Sequence, residues 1–284
     1  GGAPAVTVLA RTAALAAAGV LLAGCGSTAV EAPIPEPSRD LKAGAVPASS
    51  PAPVEEPSRW LDVTGQGVER QRDSLDRAQF ASTPQPGVQV LHAVNAEGDL
   101  KICTITAVVG RGSTGQTGYV TAGHCGIGPY AAEQYIQTSR AGAPELLGVV
   151  TGAEDDDAGV DSAVIWTDRD MDPAATSIAG FPIGGLMAEA DVRELPVGTP
   201  ICLDGAISGL VCADLVNGDD HRRIRFAAAA VEGDSGAPVF VVERERRQTT
   251  VIGILEGGNG LTSTATYIDA ALQRLGARLV TDAG

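Results

Sequence analysis

The sequence predicts an all-β fold closed by a C-terminal helix, and three observations carry that prediction. After Gly87 the chain runs in short β-rich stretches, glycines punctuate them, and one late segment alone shows a clear helical period. The β-rich stretches are 88–94, 102–109, 119–121, 147–150 and 162–166, followed by 200–203, 210–216, 223–229, 238–242 and 249–255. Many short strands at such spacing suit a sandwich or a barrel. The helix is expected over 267–280, with Ile268, Leu272, Leu275 and Leu279 on one face.

Composition bounds the rest. The chain has 284 residues, 44% of them apolar, which is enough to bury a substantial core and excludes a wholly disordered chain. A formal net charge of −15 argues against nucleic acid, whose phosphates require Lys and Arg. Five cysteines leave one over when four are paired.

The leftover cysteine is explained at the N-terminus. Residues 12–24 form an uncharged run of 13 residues dominated by Ala and Leu, ending in Leu22-Ala23-Gly24-Cys25. As a helix such a run spans about 20 Å, short of a bilayer core of about 30 Å, so it fits a secretory h-region better than a membrane span. The last four residues resemble a bacterial lipobox, whose cysteine is acylated. Residues 1–24 are therefore expected to be a lipoprotein signal peptide and Cys25 the lipidation site; an ordinary signal peptide or a buried helix are the alternatives. Residues 25–58 follow as a tether rich in Pro and Ala, including Pro33, Pro35, Pro37, Pro47, Pro51, Pro53 and Pro57. Residues 59–86 are expected to be a propeptide or further linker, and 87–284 the folded domain. The expected location is the outer face of the cell membrane, or outside the cell if no anchor is attached.

Three segments carry chemistry. Thr121-Ala122-Gly123-His124-Cys125 puts a histidine after a β run, and Asp161-Ser162-Ala163-Val164-Ile165 puts a carboxylate at the head of an apolar strand. Gly233-Asp234-Ser235-Gly236-Ala237-Pro238 puts a serine in a tight glycine turn. A hydroxyl is activated by a base that takes its proton and a carboxylate that fixes the base's tautomer, and these segments supply all three parts.

In the order His, Asp, Ser, the three segments resemble the signature motifs of the chymotrypsin-like (trypsin-fold) serine proteases, above all the bacterial streptogrisin and α-lytic branch. The segment from Cys202 to Cys212 resembles that branch's small disulfide loop, and 267–276 its closing helix. The resemblance spans 88–282. It implies two six-stranded antiparallel β-barrels, at about 87–172 and 190–266. It also implies Ser235 as nucleophile, His124 as general base and Asp161 as the orienting carboxylate. The amides of Gly233 and Ser235 would form the oxyanion hole, and the disulfides would be Cys103–Cys125 and Cys202–Cys212. The implied activity is a serine endopeptidase, with a catalytically silent binding module on the same fold as the alternative. The partners expected are a protein or peptide substrate and the membrane, with the chain monomeric; no cofactor and no metal is expected.

Two positions depart from the family pattern. Leu203 stands where an arginine of that branch pairs with the aspartate before the nucleophile. Asp234 is thus expected to find another cation: Arg222, Arg223, Arg225 or an α-amino group freed by cleavage in 59–90. Glu256 stands where the family has a serine, which is expected to place a second negative charge by the triad and raise one carboxyl's pKa. The substrate pocket is expected around Ala229, Glu256, Gly257 and Gly258. With alanine rather than aspartate at 229, it suits a small or medium apolar P1 residue.

Other motifs carry less. Gly110 to Gly115 fits G-x-G-x-x-G, but a turn and a strand follow instead of the helix that a nucleotide site needs, so a hairpin loop is expected. Glu154-Asp155-Asp156-Asp157 lacks the ligand spacing of an EF-hand and reads as a solvated acidic loop.

Overall fold

The computed structural model describes residues 58–72, 78–112, 114–140 and 142–281. Cys25, the expected signal peptide and nearly all of the tether lie outside them. Among the described residues no helix is long and apolar enough to cross a membrane.

Three short strands come first: β1 (Trp60–Leu61), β2 (Gln71–Arg72) and β3 (Gln79–Phe80). The first large sheet then uses β4 (Gln89–Ala93), β5 (Leu100–Thr104), β6 (Ala107–Arg111), β7 (Thr117–Thr121), β8 (Glu133–Ile136), β9 (Glu145–Asp155) and β10 (Asp161–Thr167). A connecting region holds β11 (Ser177–Ile178), β12 (Phe181–Leu186) and the short helix α1 (Glu189–Arg193). The second large sheet is centred on β13 (Pro200–Gly205), β14 (Gly209–Asn217), β15 (Ile224–Phe226), β16 (Pro238–Glu243), β17 (Thr249–Gly258) and β18 (Ser263–Tyr267). Helix α2 (Ile268–Leu275) and strand β19 (Ala277–Leu279) end the described chain.

Both large sheets close into six-stranded barrels, as expected. In the second, β16 pairs with β13 on one side and β17 on the other, so the ring β16-β13-β14-β15-β18-β17 has no open edge. In the first, the expected single run 102–109 is one bent strand seen as β5 and β6. Its bend comes between two neighbouring residues: the Ile105 amide donates to Val88 O at 3.0 Å and the Thr106 amide to Val120 O at 2.8 Å. β5 therefore pairs with β4 at one end of the sheet and β6 with β7 at the other. The fold is the pair of six-stranded β-barrels that the resemblance implied.

Strands buried on both faces explain why so many runs read as continuously apolar. On β10, Ile165 enters the core of the first barrel, while Val164 and Trp166 enter the core shared with the second. On β16, Val239 and Val241 fill the second barrel, and Phe240 and Val242 face the shared core. Gly110 to Gly115 lies in the β6–β7 hairpin, where the Arg111 amide donates to Gln116 O at 2.9 Å.

Two expectations about boundaries need correction. The helix does not run over 267–280. It stops at Leu275 because Gly276 takes the left-handed conformation (φ 62°) as its cap, and 277–279 then add to β6 as a strand. Nor does the fold begin at 87. β1 pairs with β16, and Trp60, Val63, Ala78 and Phe80 are buried, so apolar side chains draw part of 59–86 onto the second barrel and its surroundings.

Candidate active site

His124 opens a short 3₁₀ turn directly after β7, and Asp161 is the first residue of β10, so the pairing of β7 with β10 brings the two together. Asp161 Oδ2 lies 2.8 Å from His124 Nδ1, and Asp161 Oδ1 accepts the His124 backbone N–H at 2.9 Å. The carboxylate is thus engaged on both oxygens, which fixes the imidazole's rotation. A proton on Nδ1 leaves Nε2 able to act as a base. The Asp161 side chain is 3% exposed against 37% for His124, so the acid is sheltered and the imidazole is open to the cleft. Hydrogen bonding to Asp161 pushes the His124 pKa up; burial opposes this, and the charges of Asp161, Asp155 and Glu256 add to the rise.

The disulfide Cys103–Cys125 ties the turn after His124 to β5. The second bridge, Cys202–Cys212, joins directly opposed residues of β13 and β14. Both pairings are those the resemblance implied.

Ser235 lies in the turn before β16. Gly233 and Gly236 both adopt positive φ there, 100° and 85°, and a Cβ on Gly236 would lie 2.4 Å from Thr104 O, which no other residue could tolerate. Thr104 of β5 pins the turn from the first barrel: its hydroxyl donates to Gly233 O at 2.8 Å and its amide to Ser235 O at 2.7 Å. Among the described residues no protein acceptor meets the Gly233 or Ser235 amide. His124, Gly233 and Ser235 line one cleft, together with His92, Lys101, Cys103 and Glu232. The Ser235 hydroxyl donates to the Glu256 backbone carbonyl at 3.4 Å, a long contact that a turn of the hydroxyl would release.

Neither Asp234 nor Glu256 behaves as the resemblance led us to expect. Asp234 is fully buried, but its partners are not Arg222, Arg223 or Arg225. Its Oδ1 accepts the amides of Ile207 and Ser208 at 2.9 and 3.0 Å, and its Oδ2 accepts the Ser208 hydroxyl at 2.5 Å and the Val231 amide at 3.0 Å. Four donors satisfy a buried carboxylate without a cation. Arg225 instead pairs with Asp220, and Leu203 is packed in the core of the second barrel.

Glu256 does add a carboxylate near His124 and Asp161, but it comes with its own cation. Arg223 Nε donates to Glu256 Oε2 at 2.8 Å, and the hydroxyls of Thr264 and Thr266 donate at 3.2 and 2.8 Å. Thr266 Oγ1 also accepts the Asp161 amide at 3.0 Å, so Glu256 braces the Asp161 backbone through a hydroxyl. The carboxyl raised here is that of Asp155, pushed up by partial desolvation and then by the Asp161 charge.

Of the expected pocket residues, Glu256, Gly257 and Gly258 end β17, and Ala229 is exposed in the loop before the Ser235 turn. Ser263 staples that loop to β18, donating to Ala228 O at 2.8 Å and accepting the Ala230 amide at 3.2 Å. The acidic loop is not free: Arg223 donates to the carbonyls of Asp156 and Asp157, and Arg274 pairs with Glu154 at 3.1 Å. Sequence reasoning missed Thr104, Ser208 and Thr266 as site residues, and it assigned Arg223 to Asp234 where the structure pairs it with Glu256.

Solved proteases are similar to the chain, and three of them illustrate the likeness. Thermobifida fusca protease A is 22% identical with a TM-score of 0.49, the match covering 69% of this chain and 98% of that one. A glutamic acid specific serine protease is 18% identical with a TM-score of 0.48, covering 69% and 100%. Cellulomonas bogoriensis chymotrypsin is 20% identical with a TM-score of 0.43, covering 69% and 98%. Neither a protein-family model nor a curated protein sequence matches the chain.

Proposed function

We propose that the chain is a serine endopeptidase that cleaves peptide bonds through an acyl-enzyme on Ser235. The observation that carries this reading is the His124–Asp161 pair at 2.8 Å, facing a cleft that Ser235 shares. His124 takes the Ser235 proton as the hydroxyl oxygen attacks the scissile carbonyl. The amides of Gly233 and Ser235 donate hydrogen bonds to the developing oxyanion, and His124 returns the proton to the leaving amine. Water then attacks the ester by the same route in reverse roles. Ala229, Gly257 and Gly258 leave room for a small or medium apolar side chain on the substrate. The chain works as a monomer, exported and held at the membrane by lipid on Cys25.

A fluorophosphonate probe tests the chemistry: covalent labelling is expected at Ser235 and absent from Ser235→Ala, and an unlabelled wild-type chain would overturn the reading. That result would favour a silent binding module on the same fold. Mass spectrometry of the membrane fraction is expected to find acylated Cys25, and a Cys25→Ala chain that stayed with the membrane would refute the anchor.

A further inference from the structure

The stretch before β4, which the proposed chemistry does not use, grips the hairpin that holds the nucleophile turn. Arg70 Nη1 and Asp204 Oδ2 lie 2.6 Å apart, with side chains only 8% and 2% exposed. The other Arg70 nitrogen donates to Pro86 O at 2.7 Å. Gln79 donates through its side chain to Asp204 Oδ1 at 3.3 Å and Gly205 O at 2.8 Å, and through its backbone to Ala206 O at 2.7 Å. Arg72 donates to Ile207 O at 2.8 Å. Residues from β2 and β3 and their approach therefore hold four consecutive residues, 204–207, at the tip of the β13–β14 hairpin.

That same tip supplies the donors to Asp234. The Ile207 and Ser208 amides and the Ser208 hydroxyl engage both of its oxygens, and Asp234 immediately precedes Ser235. The base of the hairpin needs no such clamp, since the Cys202–Cys212 bridge and the ladder of β13 against β14 already secure it. Without Arg70 the buried Asp204 carboxylate would lose its counter-charge, and its cheapest relief is to move toward water and carry the tip with it. Asp234 would then lose three of its four donors, and the turn that aims the Gly233 and Ser235 amides would lose its anchor.

We propose that Arg70 is a positioning residue for the oxyanion-binding amides, acting through Asp204 and the 207–208 tip on Asp234; this rests on the serine-protease reading above. The test compares Arg70→Ala and Arg70→Lys with Arg59→Ala, whose surface pair with Glu243 at 3.4 Å anchors the same stretch away from the hairpin. The readouts are kcat and KM per fluorophosphonate-titrated site on a peptide anilide, and amide hydrogen exchange over 204–208 and 231–235. Arg70→Ala is expected to lower kcat about 10- to 1000-fold, bounded by the loss of one oxyanion donor, with KM within about threefold of wild type. Added methylguanidinium should restore part of the rate. Arg70→Lys keeps the charge and the fold but not both hydrogen bonds, and is expected to lose less, about threefold or more. Faster exchange should be confined to the two stretches named, and Arg59→Ala should change neither kcat nor exchange there. An unchanged kcat per titrated site in both Arg70 variants, or unchanged exchange over 231–235, would overturn the inference while leaving the protease reading intact. A wild-type chain that the probe does not label would overturn both.

Discussion

His124 and Asp161 are placed by regular structure, one just past the end of β7 and the other at the head of its partner β10, and a disulfide beside His124 locks the arrangement. Ser235 and its neighbouring amides sit in a turn, hung from Thr104 on one side and from the Asp234 network on the other. The base half of the site is thus secured by a backbone ladder that most substitutions leave untouched. The Ser235 half adds to a few backbone bonds a set of hydrogen bonds through the side chains of Thr104, Ser208 and Asp234, each of which one substitution can delete. Damage to the first half should change the chemistry of one residue, and damage to the second should misalign several groups at once.

The sharpest way to break that contrast is at Asp161. Asp161→Asn should keep the fold, because the strand pairing persists, yet lower kcat by about 10⁴-fold, since the amide cannot hold the imidazole in the tautomer the base requires. The pH profile checks the cause. Asp161 raises the His124 pKa, and only neutral His124 can accept a proton, so kcat/KM should climb through an acid limb above about 6.5 in the wild type and at lower pH in the variant. The same raised pKa makes protonated His124 a stabilising group at low pH, and its contribution fades as pH rises through the raised value.

On the nucleophile side, Thr104→Val removes the donor to Gly233 O and strands the Ala206 amide that Thr104 Oγ1 accepts at 3.0 Å. A loss of about 1–3 kcal/mol is expected, measured as a fall in both Tm and kcat with KM little changed, because the turn rather than the substrate pocket is disturbed. Equal kcat in Thr104→Val and wild type would erase the proposed difference between the halves.

The disulfides give a smaller contrast. Each closes a short loop, with sequence separations of 22 and 10, and removing either pair should cost about 3 kcal/mol in urea unfolding. Activity per folded molecule should fall only for the Cys103/Cys125 pair, which borders His124. The smallest expected effect is at Arg223. Arg223→Ala leaves Glu256 without its cation, and the freed charge should move the acid limb of kcat/KM upward by less than about one pH unit, with Glu256→Gln in the same chain reversing the shift.

The parts legible in the sequence are those written within a few residues of one another. The glycine turn around Ser235, the apolar strand behind Asp161 and the histidine beside Cys125 each carry their geometry in a local pattern, so the motifs and most strands could be read directly. The run 102–109 even showed that β5 and β6 belong together, though not that the bend between them closes a barrel. Strands such as β8 and β18, mixed in polarity, were invisible because their pairing partners rather than their own residues make them strands.

Charge partners were the least legible. Asp234 and Glu256 could be recognised as buried or near-buried carboxylates in need of compensation, but not what compensates them. Asp234 is met by a hairpin 26 and 27 residues back, Glu256 by an arginine 33 back, and Asp204 by an arginine 134 residues away. Local sequence determines backbone conformation and the side chains it presents, through hydrophobic period and the steric demands of glycine. Which donor meets which buried charge is decided only when the two barrels close, because desolvation makes the pairing obligatory and only tertiary contact brings the partners within reach.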